Sequence, residues 1–125
     1  MAVKKVLVAE DNWPARKILE RFLTSAGHTV VSVGNGLRAW EFLYEGGKCD
    51  VIISDHEMPG MTGVELLRLV KASKSLAHIP FFLMSGALTV SEKDQTSLET
   101  VCAKLGATFV AKPADYETLV AQISG

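Results

Sequence analysis

This sequence of 125 residues has only two cysteines, almost no net charge and no long apolar run. The two cysteines, Cys49 and Cys102, lack CxxC spacing, so free thiols in a reducing compartment are favoured over a structural disulfide. No apolar stretch approaches the length of a membrane span, which predicts no membrane insertion. The N-terminal apolar run is too short for a signal peptide. These absences together favour a cytoplasmic protein.

The charges nearly cancel, with 13 basic and 14 acidic residues and a net charge of -1. That balance gives no bulk electrostatic reason to expect a nucleic acid or an anionic membrane as a partner. Hydrophobic residues make up 48% and charged residues 22%, which is ordinary for a globular protein. The length suits one domain over residues 1–125, and no linker, repeat or low-complexity segment divides it.

Short β-branched runs alternate with helical periodicity five times along the chain. Strands are predicted at 6–9, 29–33, 51–54, 81–84 and 107–111. Helices are predicted at about 13–26, 37–44, 63–73, 91–105 and 116–124. Asn12, Ser91 and Asp115 are the predicted N-caps of the first, fourth and fifth helices, and Asp94 is placed to complete a capping box with Ser91.

The inner faces of the helices follow from the same periodicity. For the first helix they include Ile18, Leu19, Phe22 and Leu23, and for the second Leu37, Trp40 and either Leu43 or Tyr44. The strands are near-continuous apolar runs, which is typical of a parallel sheet covered on both faces. With right-handed crossovers, the expected fold is α/β: a doubly wound, flavodoxin-like (βα)5 three-layer sandwich with strand order 2-1-3-4-5.

Polar residues follow four of the five predicted strands. Glu10 and Asp11 come after the first strand and Asp55 after the third, and these strands are neighbours in the expected order. Ser85 follows the fourth strand and Lys112 the fifth. Ligands of doubly wound sheets bind beyond the carboxyl ends of the strands, near the switch point. The pattern therefore predicts one site that combines three acids, a hydroxyl and an amine.

Three crowded carboxylates either take up protons or hold a cation. Oxygen ligands with open positions suit Mg²⁺, which accepts one or two carboxylates together with a phosphate. Ser85 and Lys112 could then donate to phosphoryl oxygens, and Asp55 could act as a nucleophile that forms an acyl phosphate. The residues themselves thus point to in-line phosphoryl transfer.

With these residues, the chain resembles the receiver domain of two-component response regulators, of the single-domain chemotaxis type (CheY-like). The resemblance covers about residues 4–124. It rests on four motifs that occur in order, each at a predicted strand end: VLVAED, DVIISDHEMPGMTG, FFLMSGA and FVAKP.

The resemblance implies a role for each acid. Asp55 matches the phosphoacceptor and is also a metal ligand. Asp11 matches a direct Mg²⁺ ligand and Glu10 its acidic neighbour, which acts through water. Glu57 stands at the position whose backbone carbonyl binds the metal in the family. Mn²⁺ could replace Mg²⁺ at this site.

The resemblance also implies a switch. Ser85 matches the residue whose hydroxyl binds the phosphoryl group and moves on activation. Lys112 matches the family's lysine. Pro113 matches the proline that follows this lysine, often through a cis bond. Phe109 stands where the family has a switch aromatic, although a core aromatic is an equal alternative. A sensor histidine kinase or histidine phosphotransfer protein would donate the phosphoryl group, and a downstream protein would sense the surface around helix 4, strand 5 and helix 5.

Several features depart from the family pattern. His56 is expected to face solvent. The Glu57 side chain could tune attack by water on the acyl phosphate or pair with Lys112 in the resting state. Gly86 replaces the usual alanine. The segment from Ser85 to Lys112 is longer than usual, and the excess is expected within 87–100.

Alternative functions remain open at this stage. A pseudo-receiver would share the fold and bind partners without phosphorylation, and a receiver could also act as a phosphate sink or relay. A phosphohydrolase with an aspartate nucleophile would need a cap domain, for which the chain has no room. A dinucleotide site would need a glycine-rich first turn, where AEDNW stands instead. The resemblance favours a signalling protein that is not an enzyme with a separate substrate, although it catalyses its own phosphorylation and dephosphorylation.

Overall fold

Five strands and five helices alternate over residues 3–125, the part of the chain that the computed structural model describes. The strands are β1 (Lys5–Ala9), β2 (Thr29–Val33), β3 (Val51–Asp55), β4 (Phe81–Ser85) and β5 (Thr108–Ala111). The helices are α1 (Trp13–Ser25), α2 (Gly36–Tyr44), α3 (Gly63–Ala72), α4 (Leu98–Leu105) and α5 (Tyr116–Ser124). Met1 and Ala2 lie outside the described residues, and they include the start of the N-terminal segment that was judged too short for a signal peptide. Within 3–125, no helix is both long and apolar enough to cross a membrane.

The sheet has the order β2-β1-β3-β4-β5, and every strand pair is parallel. The prediction of a doubly wound sheet is therefore confirmed. The order reverses between β1 and β3, which places the switch point at their carboxyl ends.

Alternating strand residues supply the two faces of the core. Val8 and Ile53 pack with α1 and α5 on one face, whereas Leu7 and Ile52 pack with α2, α3 and α4 on the other. These four strand side chains have no solvent exposure. Burying each contributes roughly 1.5–3 kcal/mol, so the central strands form a rigid base for whatever their ends carry.

The helix caps fix where the chain turns into each helix. Asn12 and Asp115 cap α1 and α5 as predicted, and their side chains accept from Ala15 N–H and from the N–H groups of Glu117 and Thr118. Thr62 and Glu65 form a capping box at the start of α3. This box ends the loop that follows Asp55, so it helps to hold that loop in place.

The predicted inner face of α2 is partly wrong. Leu37 is 52% exposed, contrary to the prediction. Of the two alternatives Leu43 and Tyr44, Leu43 is buried and Tyr44 is 79% exposed, and Trp40 packs against the core as predicted. The reason lies at Gly36, where a Cβ atom would stand 2.7 Å from the Met61 carbonyl oxygen. That close approach turns the Gly36 side of the helix inward and leaves its neighbour Leu37 in solvent. On α1, Ile18 and Phe22 are likewise exposed, at 48% and 37%.

The predicted start of α4 is also wrong. The helix begins at Leu98 with Ser97 as its N-cap, six residues beyond the expected cap at Ser91. The residues before it form a short antiparallel hairpin over 88–98, with hydrogen bonds from Val90 N–H to Thr96 O (3.0 Å) and from Leu98 N–H to Leu88 O (2.8 Å). The Ser91 hydroxyl does accept from Asp94 N–H, but it closes the hairpin turn instead of capping a helix. The hairpin lies within residues 87–100, where the excess length was expected.

Candidate functional site

The carboxyl ends of four strands gather polar side chains at one edge of the sheet. Glu10 and Asp11 follow β1, Asp55 ends β3, Ser85 ends β4, and Lys112 follows β5. Strand pairing places these ends side by side, with Asp55 opposite Met84 and Ser85 opposite Ala111. The structure thus brings together the residues that the sequence singled out.

Three carboxylates form the acidic part of the site. One oxygen from each of Glu10, Asp11 and Asp55 lies within 4.8 Å of the others. Glu10 and Asp55 are buried, at 1% and 4% exposure, whereas Asp11 is exposed. Two buried carboxylates and one open to solvent suit a hard divalent cation that keeps some of its water. The donor set therefore fits Mg²⁺.

Lys112 supplies the positive charge of the site. Its Nζ lies 2.7 Å from Asp55 Oδ1 and 3.1 Å from Glu10 Oε1. Burial alone would lower the pKa of Lys112, but its contacts with Asp55 and Glu10 outweigh burial and raise that pKa. Its backbone N–H donates to Ser85 O (2.9 Å), and the bond to Pro113 is cis, as predicted. Lys112 is thus a fixed cation beside the candidate nucleophile.

The Asp55 carboxyl is held in an unfavourable environment for its charge. Burial raises the pKa of Asp55 to about 6; the nearby Glu10 carboxylate adds to the rise, and contact with Lys112 opposes it. The pKa of Tyr116 is raised as well, first by burial and then by the Glu10 charge. One ammonium therefore does not fully compensate two buried carboxylates, and an added cation would stabilise the site.

Both carboxylate oxygens of Glu10 have polar partners. One oxygen pairs with Lys112, and the other accepts from the backbone N–H of Asn12 at 3.3 Å. Asn12 was identified from the sequence only as a helix cap. Its second contact shows that the start of α1 also helps to hold the carboxylate of Glu10 in the site.

The hydroxyl of Ser85 is fully buried and donates a hydrogen bond to the carboxylate of Glu57. It also accepts from the backbone N–H of Ala87 at 3.0 Å. The alternative that Glu57 pairs with Lys112 is therefore wrong, because Lys112 pairs with Glu10 and Asp55. A residue expected to bind a phosphoryl group is instead held by an acid.

His56 does not face solvent as expected, since it is only 2% exposed. Its ring contacts the backbone of Val64 at the start of α3 and of Val90 in the hairpin between β4 and α4. The expectation failed because it treated the strand as ending at 54, whereas every residue from Val51 to His56 is buried. The available signal was that His56 follows at once on a strand whose first three residues, Val51–Ile53, are apolar.

Phe109 lies on β5 opposite Leu83, two residues before Ser85 on the neighbouring strand. It is half-buried and packs against the core cluster that also contains Leu83 and Cys102. A shallow groove beside it is lined by α4 and by Ala111. The placement is compatible with both the switch and the core roles, and the switch role stays a prediction. Cys49 and Cys102 are free thiols, as expected.

Together the fold and the site define a class: a doubly wound α/β protein with a carboxylate and lysine site at its switch point. The family profile described as "Response regulator receiver domain" matches residues 6–124. The chain belongs to this family.

Similar proteins come from plants and bacteria. Two-component response regulator ARR17 of Arabidopsis thaliana is 37% identical over 128 residues, covering 91% of this chain and 80% of that protein. Chemotaxis protein CheY of Pseudomonas aeruginosa is 31% identical over 120 residues, covering 95% and 92%. The plant relatives differ in length, and the chain spans 49% to 80% of them.

The fold likewise matches solved receivers. The chemotaxis protein CheY4 of Vibrio cholerae superposes with a TM-score of 0.80 and is 30% identical, with 98% of both chains covered. The chain is therefore a CheY-like receiver domain in both sequence and structure.

Proposed function

We infer that this chain is a phosphorylation-dependent receiver that takes a phosphoryl group onto Asp55. The observation that carries this inference is the position of Asp55, with Lys112 Nζ 2.7 Å from its Oδ1 and with Glu10 and Asp11 beside it. The donor would be the phosphohistidine of a sensor histidine kinase or of a histidine phosphotransfer protein. The protein would act in the cytoplasm as one receiver domain over 1–125.

The transfer is a substitution at phosphorus. An Asp55 carboxylate oxygen forms a bond to phosphorus as the bond between phosphorus and the donor histidine nitrogen breaks, and the electron pair of that bond stays on the imidazole. Lys112 and Ser85 would donate to the phosphoryl oxygens. Glu10, Asp11, Asp55 and the backbone carbonyl of Glu57 would hold Mg²⁺, which when bound offsets the negative charge that keeps a phosphoryl group away from carboxylates. Mn²⁺ would substitute for it.

The switch would start at Ser85. To reach a phosphoryl group on Asp55, the Ser85 hydroxyl must leave the carboxylate of Glu57. A shift of Ser85 would open space near Phe109 and change the surface formed by α4, β5 and α5. A downstream protein would then distinguish the two states, as expected for a two-state element biased by a local charge.

A pseudo-receiver that binds partners without phosphorylation is the main alternative. A pseudo-receiver needs neither a lysine beside the candidate nucleophile nor a cluster of acids, yet this chain has both, and Glu10 and Asp55 are buried. A receiver that only stores or relays phosphoryl groups would have the same site, and would differ in lacking a downstream partner.

The test is labelling with a small acyl phosphate in the presence of Mg²⁺. The wild type should gain one acid-labile phosphoryl group, located on Asp55 by mass spectrometry, and Asp55→Asn should gain none. Asp50→Asn, at the opposite end of the same strand, is the matched control and should label normally. An unlabelled wild type, or equal labelling of Asp55→Asn, would contradict the proposal.

A further inference from the structure

The imidazole of His56 uses both of its nitrogens although it is almost fully buried. Nδ1 accepts from the backbone N–H of Val64 at the start of α3 (3.3 Å), so this nitrogen carries no proton. Nε2 therefore carries the proton and donates to the carbonyl oxygen of Val90 (2.8 Å). The ring thus connects α3 with the hairpin over 88–98.

The backbone of His56 is fixed as firmly as its ring. Its N–H donates to Met84 O (2.8 Å) on β4, and its carbonyl oxygen accepts from Gly63 N–H (2.9 Å). Gly63 is packed so closely that a Cβ atom there would lie 2.4 Å from the Asp55 carbonyl oxygen. His56 is therefore a rigid anchor, one residue beyond the phosphoacceptor.

The hairpin itself has few other anchors. Its C-terminal residue Leu98, the first residue of α4, is fully buried in the core, but Leu88 at the other end is 67% exposed. Between them, Val90 is only partly buried against the core. The remaining hairpin contacts run mostly within it, such as Thr96 N–H to Asp94 Oδ1 (3.0 Å). A loop with few buried apolar contacts opens easily. The hydrogen bond from His56 to Val90 should therefore contribute strongly to holding the hairpin in place.

The hairpin forms one wall of a cleft of about 600 Å³ at the mouth of the site. Thr89, Val90 and Ser91 line that wall, and Glu57 and Met58 line the facing wall. Asp11 and His56 also border the cleft. Since His56 ties the two walls together, it sets how far apart they stand.

We propose that His56 is a positioning residue that holds the hairpin in place at the cleft bordered by Asp11 and Glu57, and thereby limits the access of water to an acyl phosphate on Asp55. In hydrolysis, a water oxygen bonds to phosphorus and the bond to the Asp55 oxygen breaks. The products are the Asp55 carboxylate and inorganic phosphate, with a proton released to solvent. The consequence for the lifetime of the phosphoryl group depends on the proposed function, whereas the consequence for the hairpin does not.

Two variants separate the two bonds of the ring. In His56→Asn the side-chain oxygen can occupy the place of Nδ1 and accept from Val64, but the side chain is too short to reach Val90. In His56→Gln the terminal amide can occupy the place of Nε2 and donate to Val90. Each variant loses one hydrogen bond, so a general loss of stability would affect both alike.

Hydrogen exchange in the unphosphorylated protein tests the hairpin directly. In His56→Asn the amides of Val90 and Leu98 should exchange roughly tenfold faster, and the Val64 amide should stay protected. His56→Gln should show the reverse. Unchanged exchange of Val90 and Leu98 in His56→Asn, after correction for global stability measured in urea, would overturn the proposal.

The lifetime of the phosphoryl group tests the consequence. It should shorten by about three- to tenfold in His56→Asn and stay within about twofold of the wild type in His56→Gln. Asp94→Ala, which loosens the hairpin turn without touching His56, should also shorten it and serves if the His56 variants fold poorly. Equal lifetimes in both His56 variants, or an unchanged lifetime in Asp94→Ala, would overturn the role in water access. A wild type that takes up no phosphoryl group would instead contradict the proposed function, and hydrogen exchange would still decide whether His56 holds the hairpin.

Discussion

The ammonium of Lys112 lies 2.7 Å from Asp55 Oδ1 and 3.1 Å from Glu10 Oε1, and so joins two buried carboxylates at the carboxyl ends of different strands. This lysine is the positive partner that both acids share. The resting site is thus held together by the same group that would contact the incoming phosphoryl oxygens. Its removal should affect both the charge state of the site and the chemistry.

Replacing Lys112 with methionine should raise the pKa of Asp55 further, because the contact that opposes burial and the Glu10 charge is lost. Carbon NMR of the Asp55 carboxyl against pH would measure the change. Labelling by a small acyl phosphate should slow by about tenfold or more, since one donor to the transition state is missing. An Asp55 carboxyl that titrates as in the wild type would show that Lys112 does not govern its charge.

The raised pKa of Asp55 also predicts how stability depends on pH without metal. The folded protein takes up the Asp55 proton near pH 6, whereas the unfolded chain does so near its ordinary value of 3.8. The folded state therefore binds more protons between these values, and this group destabilises the protein as pH rises through 6. Asp55→Asn should raise the melting temperature at pH 7.5 by about 3 to 5 °C, the shift that roughly 1 kcal/mol produces in a domain of this size.

Two controls accompany that measurement. At pH 4 the difference between wild type and Asp55→Asn should nearly vanish, because the carboxyl is then protonated in the folded wild type. Saturating Mg²⁺ at pH 7.5 should stabilise the wild type and have little effect on the variant. A variant less stable than the metal-free wild type at pH 7.5 would refute the argument.

Asp11 gives the cleanest test of the metal site, because it is exposed and its removal disturbs little packing. Asp11→Ala should weaken Mg²⁺ binding by about tenfold or more, through the loss of one charged ligand. Calorimetric titration would measure it, with the exposed Glu92→Gln at the far wall of the cleft as the control. Identical titration curves for Asp11→Ala and wild type would count against the site.

The sequence was informative about the sheet and about residues that end its strands, because burial on both faces leaves a strong apolar signature. Asp55, Ser85 and Lys112 could be placed at one edge once the strand order was inferred. The outer faces were less predictable: Leu37 has the right spacing for burial, but the tight packing of Gly36 decides otherwise. The hairpin was missed since its hydrogen bonds join backbone groups and leave little pattern in the side chains.

Glu57 offers a last prediction, which separates charge from hydrogen bonding. Its carboxylate accepts from the Ser85 hydroxyl and adds negative charge beside the place where a phosphoryl group would arrive. Glu57→Gln keeps an acceptor for Ser85 but removes the charge, whereas Glu57→Ala removes both. If charge dominates, both variants should label faster than wild type, to a similar degree. If the hold on Ser85 dominates, Glu57→Ala should exceed Glu57→Gln.

We expect the second result, because the hydroxyl of Ser85 is fully buried and can reach a phosphoryl oxygen only after it leaves Glu57. A hydrogen bond to a charged group is worth about 1.5–3 kcal/mol, more than a bond to a neutral amide. Initial labelling rates should therefore rise in the order wild type, Glu57→Gln, Glu57→Ala. Rates for Glu57→Ala at or below those of the wild type would show that the contact does not restrain Ser85.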